Sequence, residues 1–177
     1  MDARVESGQS DLVRMMVHYM GWANRVMLAA AAELPPEEIV RKRATLFGNI
    51  VHTFNHILVI DDVFRCHLER RPHGYAARNT ETSPPFDEVR RRLEDMDRFY
   101  IEMADNLSVG ELNEEIAFEY IGGGDGRLTR QEILLHLANH STYHRGFIAD
   151  MFWQIPFRAA ANDLSVFLRD AWPHLRR

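Results

Sequence analysis

Four long stretches of this 177-residue chain repeat apolar residues at steps of three and four, which is the period of an α-helix. The predicted helices cover residues 10–33, 45–70, 86–107 and 129–154, and a short final helix covers 163–172, closed by Pro173. The first would begin at Ser10 or Asp11, and the fourth with a capping box of Thr129 and Glu132. Long amphipathic helices bury their apolar faces against one another, so the pattern predicts an all-α fold.

The segments between these helices refine the predicted fold. Residues 72–85 are rich in Pro, Gly, Asn, Thr and Ser, so they predict a long connection that permits a crossover. Residues 116–121 are rich in aromatic and β-branched residues, and a glycine-rich turn follows, so we expect a small hairpin or a loop before the fourth helix. The sequence therefore predicts one domain over residues 1–177, a four-helix bundle with a crossover connection. A generic all-α domain with an inserted hairpin is the alternative.

The composition narrows the classes of function. A net charge of −5 argues against nucleic-acid binding, which normally requires a basic surface. No apolar run approaches the roughly 20 residues that span a bilayer, and the N-terminus lacks the basic-then-apolar order of a signal peptide. The single cysteine, Cys66, excludes an internal disulfide and is typical of a reducing compartment. We therefore expect a cytoplasmic protein that binds neither nucleic acid nor membranes.

Histidine is the residue type with an unusual distribution. Five of the nine histidines fall in two short segments of the predicted helices: His52 and His56 in the second helix, and His136, His140 and His144 in the fourth. Residues four apart share a helix face, with Cβ atoms about 5–6 Å apart, so two such imidazoles can share one divalent ion. His136 and His144 differ by about 80° around the helix and cannot point equally at one ion. Spacing alone leaves open which three of the five would bind.

A metal site between two helices is therefore one interpretation of the histidine pattern. Bundle cores often hold metals between facing helices, and three protein ligands leave positions open for water or substrate, as in catalytic sites. The chain has no cysteine pair and its fourth helix has no Glu-x-x-His motif, which disfavours a thiolate zinc site and a ferritin-like di-iron site. The alternative is that these histidines are ordinary core or surface residues.

Four sequence segments resemble the DinB family of metalloenzymes. They are residues 19–24 (YMGWAN), 47–61 (FGNIVHTFNHILVID), 139–146 (NHSTYHRG) and 163–169 (DLSVFLR). They follow one another in the family's order over nearly the whole chain, and the third is the most specific. Two departures from the family pattern are mild: Tyr143 stands where many members have a second histidine, and Phe147 where many have glutamine.

The resemblance implies both a metal site and a class of chemistry. It assigns the metal ligands to His56, His140 and His144, and leaves His52 and His136 to pack beside them. It also implies a left-handed crossover in the bundle, a homodimer, and a divalent Ni, Zn, Fe or Mn ion. Better-understood relatives are S-transferases that use low-molecular-weight thiols, and a mycothiol-dependent maleylpyruvate isomerase. The expected function is therefore metal-dependent transfer of a thiol to a small electrophile. A metal-dependent hydrolase and a non-catalytic metal-binding dimer with a structural or stress-related role are the alternatives.

Several polar and aromatic residues near these ligands are weaker candidates for a role in the site. Each lies on a different helix face from the ligands or far from them in the chain, so we prefer packing, capping or a subunit contact as its role. These residues are Trp22, Asn24, Asn55, Asp61, Asn139, Tyr143 and Arg145.

Overall fold

The computed structural model describes residues 3–176, and the side-chain environments of residue 8 and of residues 10–176. The chain is mostly helical, with one small antiparallel sheet. The elements are α1 (Ala3–Ala32), α2 (Pro36–Val40), α3 (Ile50–Leu68), α4 (Phe86–Asn106), α5 (Val109–Leu112), β1 (Glu115–Glu119), β2 (Asp125–Thr129), α6 (Arg130–Trp153), α7 (Leu164–Asp170) and α8 (Trp172–Leu175). Within the described residues, no helix is long and apolar enough to cross a bilayer.

Of the two N-caps predicted from the sequence, one is confirmed and one is wrong. The capping box predicted for the fourth helix is confirmed: the Thr129 side chain accepts from the Glu132 backbone N–H, and Glu132 accepts from Thr129 in return. The N-cap predicted at Ser10 or Asp11 is wrong, because α1 already begins at Ala3 and both residues lie inside it. A residue that favours the N-cap does not start a helix when the preceding residues also form one.

The predicted second helix begins five residues later than its apolar pattern suggested. Gly48 adopts the left-handed conformation at φ 78°, which residues with a side chain rarely adopt. Asn49 then caps α3, because its side chain accepts from the His52 backbone N–H at 2.7 Å. The Gly48 conformation and the Asn49 cap fix where α3 begins, and therefore which turns of α3 carry His52 and His56.

The short elements differ most from the sequence-based expectation. α2 and α5 occupy segments for which no helix was predicted. The final helix is divided into α7 and α8, and Pro173 lies in the first turn of α8 instead of closing the helix before it. Proline is tolerated at that position because its missing N–H would have no partner in the first turn. The segment between α5 and α6 forms a hairpin, in which Ile116 pairs with Leu128 and Phe118 with Gly126.

The long connection between α3 and α4 returns along α3. Its residues Arg78 and Ser83 contact the side chains of His56 and His52 respectively. α4 therefore begins near the start of α3, where the rings of Phe86 and Phe54 lie 6.1 Å apart. Farther along both helices, the Tyr100 hydroxyl donates to the Asp61 carbonyl at 2.6 Å, so α3 and α4 run parallel. Each of these two helices also packs against one further long helix, α3 against α6 and α4 against α1.

A buried polar cluster joins the four long helices within an otherwise apolar core. Arg145 of α6 is only 2% exposed, and it donates to Asn24 of α1 and to Thr142 at 2.8 Å each. Asn24 in turn donates to Asp97 of α4 at 2.9 Å. Asp61 of α3 is fully buried, and its carboxylate interacts electrostatically with Arg145 and Asp97. Because Arg145 directly follows His144, this cluster holds the part of α6 that carries the candidate metal ligands.

Asp97 gives the folded chain an unusual dependence on pH. Burial raises its pKa to about 6, against the lowering effects of the Asn24 hydrogen bond and of nearby Arg145 and Arg25, while Glu94 adds to the rise. A raised folded-state pKa contributes stability below the unfolded-state value, and that contribution is lost as pH rises toward 6. We expect the unfolding free energy of the unmutated chain, minus that of Asp97→Asn, to fall by about 2–3 kcal/mol between pH 4 and pH 7.

Urea unfolding of both proteins across this pH range measures the difference. Subtracting the variant removes the contributions of titrating groups that do not interact with Asp97, including the buried histidines. Asparagine retains an oxygen that can accept from Asn24, so the variant keeps the hydrogen bond in which that residue is the donor. A difference that stays constant or grows as pH rises would contradict the prediction.

Candidate metal centre

Three histidines from two helices converge at one point. His56 of α3 and His140 and His144 of α6 each offer one ring nitrogen, and these three atoms all lie within 4.8 Å of one another. The Nε2 atoms of His56 and His140 are 3.0 Å apart. The rings of His140 and His144 have centroids 4.5 Å apart, as expected for residues one turn apart on a single helix face. The structure thus brings together the three residues that the family resemblance assigned.

A backbone hydrogen bond orients the His56 imidazole. Its Nδ1 lies 2.6 Å from the carbonyl oxygen of Arg78, and only a protonated nitrogen can donate to that oxygen. In the neutral ring Nε2 then carries the lone pair, directed toward His140 and His144. The Phe47 ring stacks on the His56 ring with centroids 4.3 Å apart, which restricts rotation of the imidazole. This is the usual arrangement of a metal-binding histidine, whose second nitrogen donates to a carbonyl or carboxylate.

Asn55 and His52 hold the connection that carries the Arg78 carbonyl. The Asn55 amide donates to Asn79 and, at 2.6 Å, to Thr80. The Nδ1 atom of His52 lies 2.6 Å from the Ser83 hydroxyl. Asn55 turns away from the three ligands, as expected one residue before His56, whereas His52 contacts the connection although it shares a helix face with His56. Both act on the site indirectly, because they fasten the segment that orients His56.

The donor atoms present fit a divalent transition ion. Ligands 2.0–2.1 Å from one ion, at tetrahedral or octahedral angles, are separated by about 2.9–3.4 Å, and the His56–His140 nitrogen separation of 3.0 Å falls in this range. The Nδ1 atoms of His140 and His144 are buried and have no hydrogen-bond partner among the described residues. Buried polar atoms normally have a hydrogen-bond partner, so the described protein groups alone do not satisfy the polar atoms of this cluster.

The surroundings keep all three imidazoles neutral. Burial, together with the neighbouring imidazoles His144, His56 and His136, lowers the pKa of His140 to about 2. Burial and the nearby His56 ring lower the pKa of His144 to about 4, and burial also lowers the pKa of His56. A neutral imidazole has the lone pair that a metal requires. At neutral pH the three rings are therefore ready to bind an ion without releasing a proton.

The other candidate residues lie outside this triad. His136 lies beside it, with its ring 5.7 Å from that of His140 and 5.0 Å from Phe64. Asn139 is exposed to solvent. Trp22 packs against Phe167 of α7, with ring centroids 5.6 Å apart. The preference for structural roles over metal binding therefore agrees with the positions of these side chains.

A cavity of 540 Å³ opens on one side of the triad. Its walls include Phe47 before α3, Arg78 in the long connection, Phe118 and Tyr120 around the hairpin, and Tyr143 of α6. Sequence reasoning did not assign Phe47, Arg78 or the hairpin residues to the site. The only signal for the hairpin was its aromatic character, which also suits ordinary packing.

The fold and the site define a mostly helical protein with a histidine triad placed to bind a metal ion. The model of the DinB family matches residues 8–160. Protein DinB of Bacillus subtilis (strain 168) is 24% identical over 168 residues, which cover 90% of this chain and 95% of that protein. The crystal structure of a DinB-like protein from Bacillus cereus ATCC 10987 has the same fold, with a TM-score of 0.60 and 14% identity over 78% of this chain and 89% of that one. The chain belongs to the DinB family.

Proposed function

We propose that this protein is a metal-dependent enzyme that transfers a thiol to a small electrophile. One observation carries the proposal: three neutral imidazoles from two helices converge on one point at the wall of a cavity. In this proposal His56, His140 and His144 bind one divalent ion, which is Ni, Zn, Fe or Mn. Three protein ligands leave coordination positions open toward the cavity, the pattern of a catalytic metal site.

The chemistry follows from what a divalent cation and this cavity can each provide. When bound, the ion lowers the pKa of a thiol or a water molecule at its open positions. The chain orients His56 through the Arg78 carbonyl and surrounds the second reactant with aromatic side chains, among them Phe47 and Phe118. An apolar wall limits the access of water and holds the electrophile beside the nucleophile.

The composition of the cavity wall supports a thiol over water as the nucleophile. A hydrolytic metal site usually has a carboxylate nearby that accepts the proton of water, as the glutamate of the His-Glu-x-x-His motif does. Among the residues that the structure describes, no aspartate or glutamate lines this cavity. A thiol, with a pKa near 8.5, needs far less acidification than water, with a pKa near 15.7. Thiol transfer is therefore the preferred reaction, and the known relatives with this chemistry support it by analogy.

We also propose that the four long helices form a four-helix bundle with one crossover. The support is that α1 packs on α4 and α6, and that α3 packs on the same two helices. The connection between α3 and α4 returns along α3 and makes these two helices parallel, as a crossover connection does. Homodimer formation and a cytoplasmic location stay predictions, which light scattering and cell fractionation test.

Elemental analysis tests the proposed metal site. Protein purified without a histidine tag, then supplied with Ni, Zn, Fe or Mn salts and desalted, is expected to retain about one equivalent of one of these ions. Less than about a tenth of an equivalent with every ion would contradict the proposal. The reaction is tested separately, by following the consumption of low-molecular-weight thiols with a panel of electrophiles. The expected result is a rate that depends on the metal, and a rate equal to the metal-free background would leave only metal binding.

A further inference from the structure

The cavity beside the triad has an aromatic wall that is partly open to solvent. Five rings from four parts of the chain form this wall: Phe47, Phe64, Phe118, Tyr120 and Tyr143. Tyr143 is 60% exposed and Tyr120 is 47% exposed, although both are large side chains. Exposed apolar surface gathered around one concavity marks a binding site more often than a chance arrangement. The wall therefore suits a planar apolar ligand.

Arg78 is the one arginine or lysine among the described residues that line the cavity. Its carbonyl is held by His56, so its main chain is anchored beside the triad. Its side chain forms no ion pair with any residue whose side chain the structure describes, although arginines elsewhere pair with acidic neighbours, as Arg127 does with Glu115. Arg78 lines the same cavity as His56, His140 and His144, so it belongs to the surroundings of the proposed metal site. An arginine that is anchored, unpaired and beside an apolar cavity is suited to bind a carboxylate.

We propose that the cavity binds small aromatic carboxylic acids, with the ring against the aromatic wall and the carboxylate on Arg78. This inference names the groups by which the electrophile of the proposed enzyme is recognised, a ring and a carboxylate, and so rests on the proposed function. The volume of 540 Å³ lies within the range of cavities that hold drug-sized ligands. Since Arg78 is anchored at the triad, an acid bound in this way has its ring beside the proposed metal ligands.

The test compares 1-naphthoate with the neutral 1-naphthalenemethanol, which has the same ring system without the charge. Dissociation constants are measured by calorimetry on the full chain in EDTA, so that a carboxylate cannot be held by a metal ion. We expect naphthoate to bind about tenfold more tightly than the alcohol, the low end of what a charged hydrogen bond contributes, since Arg78 is exposed. Equal affinities for the two ligands would overturn the proposal.

Three variants separate the contribution of the Arg78 charge to ligand binding from that of the aromatic wall. Arg78→Gln keeps the carbonyl that orients His56, and it is expected to reduce naphthoate affinity about tenfold while leaving the alcohol unchanged. Arg127→Gln removes an arginine outside the cavity and should change neither affinity. Tyr143→Ala removes an exposed wall ring and should weaken both ligands alike. Unchanged naphthoate binding in Arg78→Gln, or an equal loss in Arg127→Gln, would contradict the assignment to Arg78.

These measurements also distinguish the failure of this inference from the failure of the proposed function. They use metal-free protein, so they report on the cavity whether or not the triad binds an ion. Selective carboxylate binding in a chain that retains no metal would support the cavity assignment and overturn the metal site. Metal binding without carboxylate selectivity would support the metal site and overturn the cavity assignment.

Discussion

Replacing His140 with alanine is expected to remove the stabilisation that a divalent ion gives to the folded chain. An ion that binds only the folded state stabilises it by about 4 kcal/mol at a thousand times its dissociation constant. For a chain of this length that corresponds to a rise in melting temperature of roughly 8–16 °C. His140 supplies a nitrogen 3.0 Å from that of His56, so its loss leaves only two of the three proposed ligands. Thermal unfolding with EDTA and with added metal measures the rise in each protein.

His136→Ala is the matched control for this prediction. His136 lies one turn earlier on the same helix, and its ring is 5.7 Å from that of His140, but it is outside the triad. The control should keep the rise in melting temperature that the unmutated protein shows with metal. The interpretation of the triad would be wrong if His140→Ala kept the full rise, or if both variants lost it equally.

The second large effect is expected for Arg145→Met. Arg145 is almost fully buried, hydrogen-bonded to Asn24 and electrostatically coupled to Asp61 and Asp97. Removing this buried cation leaves Asp61 and Asp97 with only the weaker effect of Arg25 on Asp97, and the loss of a buried charged partner typically costs about 3–5 kcal/mol. We expect a loss of that size in the unfolding free energy at pH 7, measured by urea unfolding. Methionine fills a volume similar to the aliphatic part of arginine, so the loss of charge and hydrogen bonds dominates over a cavity.

Two further variants show whether the charge is responsible. Arg158→Met removes an exposed arginine whose guanidinium lies 4.7 Å from the Trp153 ring centroid, and it should cost less than about 1 kcal/mol. Adding Asp97→Asn to Arg145→Met removes one of the stranded carboxylates and should recover part of the loss. A cost for Arg145→Met as small as that of Arg158→Met would show that the buried cluster does not stabilise the fold.

The positions of the four long helices were largely predictable from the sequence. An apolar step of three and four residues depends only on neighbours along the chain, and it indicated α1, α3, α4 and α6. The start of α6 was also local, because Thr129 and Glu132 form their capping box within four residues. The start of α1 was not predictable in this way, because several early residues can begin a helix and the favourable cap at Ser10 was not used.

The site was predictable only in part, because it combines residues close together in the chain with residues far apart in it. The sequence by itself determined that His140 and His144 share a face, since helix geometry places residues four apart together. It could not bring in His56, which lies 84 positions before His140, and the family resemblance was needed to choose it over His52. The roles of Asn55 and Arg78 depend on a connection that returns along α3.

The tertiary structure alone decided what surrounds the three histidines. The hydrogen bond from His56 to the Arg78 carbonyl, the stacked Phe47 ring and the hairpin wall all join segments that are separate in the chain. Such contacts form when all the helices pack together, and no short window of sequence contains the information that sets them. Local hydrogen bonding therefore determined the helices and the spacing of two histidines, whereas packing over long sequence distances determined the third histidine, its orientation and the cavity.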